Sequence, residues 1–196
     1  MNVTSKRISE EKEAMPTKAR KSAEVKAAEK IIKLMDKADK KPKYAGAYIN
    51  DKGKQVIGCM FMVVRLNEPL PVAQAEQKMT FIDTIFDACK EMGQIMLEIP
   101  TIADLKDYIK TKKEQNPEKY KSRNKEPIFY DFGITESKVI LPLVNAEYLL
   151  IMLEVLGNDS QVTWSHSKEP YYNKGYIFFK SSKGDGILCP VRRNDI

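Results

Sequence analysis

The sequence predicts an α+β fold in which helices pack on an antiparallel sheet. The segment from Pro127 to Arg193 carries the clearest evidence, because two strand patterns, one very apolar helix and three further strand patterns follow one another there. The helix has a suitable N-cap in Asn145 and a suitable C-terminal glycine in Gly157. A length of 196 residues with 42% hydrophobic side chains is enough for one good core or two small domains.

The preceding part of the chain contains further helix and strand patterns. Ser22 is a suitable N-cap for a helix that runs to about residue 39, and the turn 51–54 joins two strand patterns at 44–50 and 55–66. We then expect a helix at 74–92, a strand at 94–99, a helix from 102 to about 113 behind the Thr101 cap, and a hydrophilic loop at 112–126. Later strands are expected at 128–134, 138–144, 161–165, 175–180 and 186–191.

A weak internal repeat accompanies these elements. Ser22-Ala23-Glu24 opens one helix, Asn145-Ala146-Glu147 opens another, and each helix is followed by a series of strands. We therefore expect two related halves, each a helix packed on a sheet, although these residues suit the start of any helix.

The net charge of +6 comes from the beginning of the chain. Residues 1–43 carry thirteen basic and seven acidic side chains, and the remainder is neutral. A basic segment on a neutral body favours an anionic partner, most simply nucleic acid, or else serves as a solubilising segment. We expect residues 1–21 to form a flexible charged tail and residues 22–196 to form a single domain.

Cysteine usage and hydropathy indicate a cytoplasmic protein. Cys59, Cys89 and Cys189 are odd in number, widely spaced and set in apolar runs, which is typical of buried free thiols in a reducing compartment. The charged N-terminus lacks a signal core. The longest apolar run, 56–64, is too short to cross a bilayer. We therefore expect no membrane partner.

The helix from Ser22 is strongly two-sided. At 100° per residue, its lysines form one narrow stripe, and its isoleucine, alanine and methionine residues lie opposite. Such a stripe would follow a phosphate backbone without reading sequence, so it predicts sequence-independent binding of double-stranded DNA. An ordinary solvated helix face is the alternative. The predicted DNA-binding residues are Lys26, Lys30, Lys33, Lys37 and Lys40.

The last third of the chain also resembles a known family. Its motifs are Asn145-Ala146 at the helix start, Tyr148-Leu149-Leu150 within the helix, Gly157-Asn158 at its end and Pro190-Val191-Arg192 on the final strand. In these motifs residues 127–193 resemble the closing half of one domain of the bacterial DNA polymerase III β sliding clamp, a processivity factor of DNA replication. Val63-Val64-Arg65-Leu66 is a looser match to the end of that family's first hairpin.

The resemblance implies a clamp-like domain of two βαβββ-type halves, with helices facing DNA and strands outside. It also implies that the last strand borders an apolar pocket for peptide tails of replication proteins. The residues carried over to that pocket are Ile187, Cys189, Pro190, Val191 and Arg192. Residues 74–126 hold two helices and a loop that a plain clamp domain does not need, so they are interpreted as an insertion.

Chain length limits the analogy with a complete clamp. A bacterial clamp chain has three such domains and closes a ring from two chains, whereas this chain has the length of one domain, so a ring would need about six copies. A clamp-derived replication accessory of a phage or mobile element fits the sequence better than a working ring, and the oligomeric state stays open.

Two other functions stay open. The first alternative is an interaction or inhibitory module that engages replication enzymes without touching DNA. The second is a general basic nucleic-acid-binding protein whose likeness to clamps is accidental. No residue pattern argues for catalysis or a cofactor. His166 is the single histidine, no P-loop is present, and Asp83 and Asp87 are interpreted as the polar side of a surface helix.

Overall fold

A computed structural model describes residues 20–38, 43–121, 126–166 and 175–191. The helices in this part of the chain are α1 (Ala23–Ala38), α2 (Ile82–Glu91), α3 (Ile102–Gln115), α4 (Pro117–Lys121) and α5 (Ala146–Leu156). The strands are β1 (Ala47–Ile49), β2 (Gln55–Gly58), β3 (Met62–Leu66), β4 (Gly93–Met96), β5 (Phe129–Asp131), β6 (Leu143–Asn145), β7 (Gln161–His166), β8 (Gly175–Ser181) and β9 (Gly184–Leu188). The expected tail at 1–21 lies almost wholly outside the described residues.

The main sheet has seven strands in the order β1-β2-β3-β9-β8-β7-β4, and every neighbouring pair is antiparallel. Strands β5 and β6 form a separate antiparallel pair. The predicted α+β class with an antiparallel sheet is therefore confirmed.

Two stretches of the chain have the same order of elements. Helix α1 is followed by β1, β2 and β3, and α5 is followed by β7, β8 and β9. The last strand of each stretch, β3 and β9, pair with each other at the middle of the sheet, and α1 packs against α5. The remaining strand of the sheet, β4, comes from the 74–126 segment and pairs with β7 at one edge.

Helices cover both faces of the sheet. Successive side chains of a strand point to opposite faces, so neighbouring residues of β9 identify which helix lies on which side. A Cβ on Gly186 would meet Met152 of α5 at 2.5 Å, which places α5 directly over this glycine. Asp185 points the other way and is bonded to Arg65, which in turn contacts Asp83 of α2. Thus α5, with α1 and α3 packed beside it, covers one face, and α2 covers the other.

Helix α5 forms the centre of the core, as its apolar sequence predicts. The Asn145 side chain accepts hydrogen bonds from the backbone N–H groups of Glu147 and Tyr148, at 2.9 and 3.3 Å. Gly157 ends the helix with a φ of 97°, which an L side chain rarely adopts. The predicted caps are therefore both confirmed. The buried residues of this helix are Ala146, Leu149, Ile151, Met152, Leu153, Val155 and Leu156.

Several expected elements were wrong in their boundaries. The single strand expected at 55–66 is two strands, because a turn at Cys59–Phe61, closed by a 2.8 Å bond from Cys59 N–H to the Met62 carbonyl, folds it into a hairpin. The helix expected at 74–92 begins only at Ile82, because residues 73–77 instead bond to Ala47 and Lys43 along the edge of the sheet.

The third correction concerns the loop expected at 112–126. Helix α3 continues to Gln115, and the short helix α4 begins at Pro117. Proline is favoured at the first position of a helix, so Pro117 starts this helix instead of preventing it.

Candidate functional site

The lysines of α1 cover its outer face. Helix α1 lies on α5 and β2 with its apolar side, where Ala27, Ala28 and Ile31 are fully buried. The predicted orientation of this helix is therefore confirmed, whereas DNA contact stays a prediction. The described lysines of the predicted stripe are all exposed, namely Lys26, Lys30, Lys33 and Lys37. Lys40 lies outside the described residues.

Acidic residues of α1 are held in ion pairs with lysines. Glu29 is bonded to Lys21, just before the helix, and Glu24 is bonded to Lys183 in the turn between β8 and β9. Glu29 flanks the lysine stripe and is partly neutralised by Lys21, whereas Glu24 lies on the opposite side of the helix. Asp36 also flanks the stripe and is exposed, so the stripe has four exposed lysines beside two carboxylates.

Helix α5 carries Glu154 between two lysines from its neighbouring helices. Lys30 of α1 lies 3.2 Å from one carboxylate oxygen, and Lys106 of α3 lies 2.8 Å from the other. Partial burial by itself raises the pKa of the Glu154 carboxyl, but the hydrogen bonds and charges of Lys106 and Lys30 outweigh burial and leave this pKa below its usual value. Glu154 therefore stays ionised and links all three helices of the layer.

An apolar pocket of about 250 Å³ lies at the end of the sheet, between the strands and the segment leading into α2. Ile187 and Cys189, two of the predicted pocket residues, line it. Met60 and Phe81 are 68% and 58% exposed and lie at its mouth. The complete lining consists of Met35, Cys59, Met60, Met62, Val63, Met79, Phe81, Ile82, Ile85, Tyr176, Ile187 and Cys189.

The pocket is suited to an apolar side chain. Burial raises the pKa of the thiols of Cys59 and Cys189, so both are neutral at physiological pH. Methionine side chains are flexible and polarisable, and four of them line this pocket, as is common on surfaces that accept varied apolar partners. Nothing in the lining supplies a charged group, so contacts here depend on apolar burial.

Two other predicted pocket residues, Pro190 and Val191, lie elsewhere. Pro190 and Val191 follow β9 and are not among the lining residues. The Val191 N–H donates to the Leu143 carbonyl at 2.7 Å, which carries the chain towards β6. Arg192 lies outside the described residues. The strand expected at 186–191 therefore ends early, at Leu188.

Sequence reasoning missed a buried ionic cluster around Arg65. This side chain is 4% exposed and makes two bonds to Asp185, at 2.9 and 2.6 Å, and one to Asp83, at 2.7 Å. Its guanidinium also lies 3.6 Å from the centre of the Phe86 ring. Burial by itself lowers the pKa of Arg65, but the two carboxylates outweigh it and raise the pKa above its ordinary value.

The cluster corrects two interpretations of acidic residues. Asp83 is not merely on a solvated face, since it joins α2 to the sheet through Arg65 and Asn50. Asp185, which lies between the strands expected at 175–180 and 186–191, is within β9. The available signal was an arginine inside the apolar run Val63–Leu66, because a charge in such a strand must be paired.

The cluster ties structure together and carries no sign of a metal site. In residues 20–38, 43–121, 126–166 and 175–191, no group of three His, Cys, Asp or Glu residues is placed to hold a metal ion. Nor do those residues include a helix of the length and apolarity that a membrane span requires.

In comparisons with known proteins, no family model, curated protein or solved structure matches the chain.

Proposed function

We propose that this protein is a noncatalytic, clamp-like accessory factor of DNA replication that binds double-stranded DNA through the lysines of α1, independently of sequence. The observation that carries the proposal is the exposed lysine face of a helix whose apolar side is fully packed. Lysine ammonium groups suit phosphates as compact charges and do not discriminate between bases.

The arrangement of elements supports the clamp-like part of the proposal. The two helix–three-strand stretches, α1-β1-β2-β3 and α5-β7-β8-β9, meet through β3 and β9 in the sheet and through α1 and α5 in the helical layer. In the second stretch β6 precedes α5, as the proposal requires, but β6 pairs with β5 and not with the seven-stranded sheet, and among the described residues no strand precedes α1. In this arrangement α1 and α5 lie together on one face of the sheet, which is the face proposed to contact DNA, whereas α2 lies on the other face.

The apolar pocket favours a second candidate function. Its lining includes Ile187 and Cys189, and its open mouth carries Met60 and Phe81. A protein that engages replication enzymes through an apolar peptide segment, without contacting DNA, would use this pocket. A general basic nucleic-acid-binding protein is the third candidate, and it would need neither the pocket nor the ordered arrangement of the helices.

The salt dependence of binding tests the proposal. We expect two labelled duplexes of unrelated sequence to bind with equal affinity, and the logarithm of the association constant to fall linearly with the logarithm of salt concentration. A slope of about −3 to −4 corresponds to three or four lysine–phosphate contacts, since each contributes about 0.9. The measurement is a fluorescence anisotropy titration of the full chain at several salt concentrations.

Two outcomes would count against the proposal. Absence of duplex binding at low salt favours the interaction module, and a strong preference for one of the two sequences contradicts recognition through the backbone. Lysine substitutions distinguish a clamp-like protein from a general basic protein. Only for a clamp-like protein does DNA binding depend on the lysines of α1.

A further inference from the structure

Helix α3 lies on the other side of α5 from α1. Each of these two helices packs against α5, and each sends one lysine, Lys30 or Lys106, to Glu154. The three helices therefore form one layer with α5 in the middle. Helix α3 belongs to the segment that the sequence suggests is an insertion, so its position across α5 from the lysine-bearing helix could not be predicted from the resemblance.

Helix α3 has a lysine row of its own. At 100° per residue, Lys106, Lys110 and Lys113 lie within about 60° of one another, beside the buried face formed by Leu105 and Ile109. Lys106 and Lys113 reach carboxylates of α5, so the row faces α5. Lys110, between them, is exposed to solvent.

The central helix, α5, contributes no cation, but it also repels a polyanion only weakly. Helix α5 has no Lys or Arg, and its two glutamates are both paired: Glu154 with Lys30 and Lys106, and Glu147 with Lys113 at a distance of 2.6 Å. A polyanion that crosses α5 therefore meets carboxylates whose charge is compensated by neighbouring ammonium groups. This arrangement accounts for an apparent difficulty, namely that α5 by its own sequence is a poor DNA-facing helix.

We propose that α3 supplies a second row of phosphate-binding lysines, so that a DNA duplex lies across α5 with one backbone on α1 and the other on α3. This inference rests on the proposed function and adds a second contact surface to it. Packed helices have axes about 8–10 Å apart, so with α5 between them the axes of α1 and α3 are separated by at most about 16–20 Å. The two backbones of a duplex face the two rows together, across a major groove about 12 Å wide, whereas a single strand offers one backbone to them.

Two substitutions that change the charge of this surface in opposite directions test the inference. Lys110→Glu is expected to weaken duplex binding about tenfold and to reduce the steepness of the salt dependence by about 1, since one phosphate contact is lost. Glu147→Gln is expected to tighten duplex binding about threefold, because it frees Lys113 and removes a negative charge. A merely misfolded variant would not bind more tightly. Both are measured by anisotropy with a duplex and with one of its separated strands.

The outcomes distinguish this inference from the function on which it rests. Wild-type affinity for Lys110→Glu, together with lost affinity for Lys26/Lys33→Glu, overturns the role of α3 and leaves the proposed function standing. Wild-type affinity for both variants overturns the proposed function itself. An equal loss of single-strand and duplex binding in Lys110→Glu contradicts the placement of two backbones on two helices.

Discussion

Replacing Lys26 and Lys33 of α1 with Glu is expected to weaken duplex binding at least ~100-fold and to reduce the steepness of its salt dependence by about 2. Both side chains are exposed in the interior of the helix, away from its ends, so reversal of their charge leaves the packed face of α1 unchanged. The affinity falls because two phosphate contacts are lost and two carboxylates are placed against a polyanion. Anisotropy titrations at several salt concentrations measure both quantities.

A matched control separates contact from net charge. Lys52 and Lys78 are exposed lysines on the α2 side of the sheet, near Asp87 and Asp51. Lys52/Lys78→Glu changes the net charge by the same amount but is expected to lower duplex affinity less than fivefold, because only long-range attraction is reduced. Equal losses in the two double variants would mean that the protein binds DNA through its overall charge, as a general basic protein does.

Asp185→Asn is expected to produce the largest loss of stability among single substitutions of charged residues, about 3 kcal/mol. Asp185 accepts hydrogen bonds from two nitrogens of Arg65, a residue that is only 4% exposed. Neutralising Asp185 therefore leaves a buried guanidinium with one carboxylate partner instead of two. The amide of an asparagine would also direct its own N–H donors at those of Arg65. Urea denaturation, analysed with a common dependence on denaturant, gives the free energy of unfolding.

Asp83→Asn is the matched control for this effect. Asp83 accepts one bond from Arg65 and its side chain is 34% exposed, so water compensates part of what is lost, and we expect a cost of about 1 kcal/mol. A cost for Asp185→Asn no greater than that of Asp83→Asn would show that the guanidinium is not held chiefly by Asp185.

The sequence allowed those elements to be predicted whose signals are local. The caps at Asn145 and Gly157 and the two-sided pattern of α1 depend on residues within a few positions of one another, and each was found as expected. The α+β class followed from the same local patterns. The boundaries of the three strands that follow α1, and of the three that follow α5, were harder to predict. A strand pattern alone does not mark a tight turn such as the one at Cys59–Phe61.

Features that depend on distant parts of the chain were missed. Arg65 meets Asp83 and Asp185, which are 18 and 120 positions away, and no spacing rule connects them. Likewise, residues 74–77 were expected to begin a helix, but Ala75 and Gln77 donate backbone hydrogen bonds to Ala47 and Lys43 at the edge of the sheet. Tertiary contacts override a local preference whenever they satisfy backbone groups that the local structure would leave exposed.

The candidate surfaces were predicted unevenly for the same reason. Four of the five stripe lysines lie on one exposed helix face, since helical geometry fixes their directions. The pocket required elements from across the chain, and of the four carried-over residues that the structure describes, Ile187 and Cys189 line it. Lys106 and Lys110 of α3 were not predicted to form part of a binding surface, because their significance depends on α5 lying between α3 and α1.

Chemical footprinting of lysines tests most directly whether the helical layer is the DNA-binding face. The full chain is acetylated in the presence and absence of a duplex, and the rate at each lysine is read by mass spectrometry. We predict that the duplex slows acetylation of Lys26, Lys33, Lys37 and Lys110 and leaves Lys52 and Lys78 unchanged. Unchanged rates along α1 while the duplex is bound, or protection centred on Lys52 and Lys78, would contradict the account.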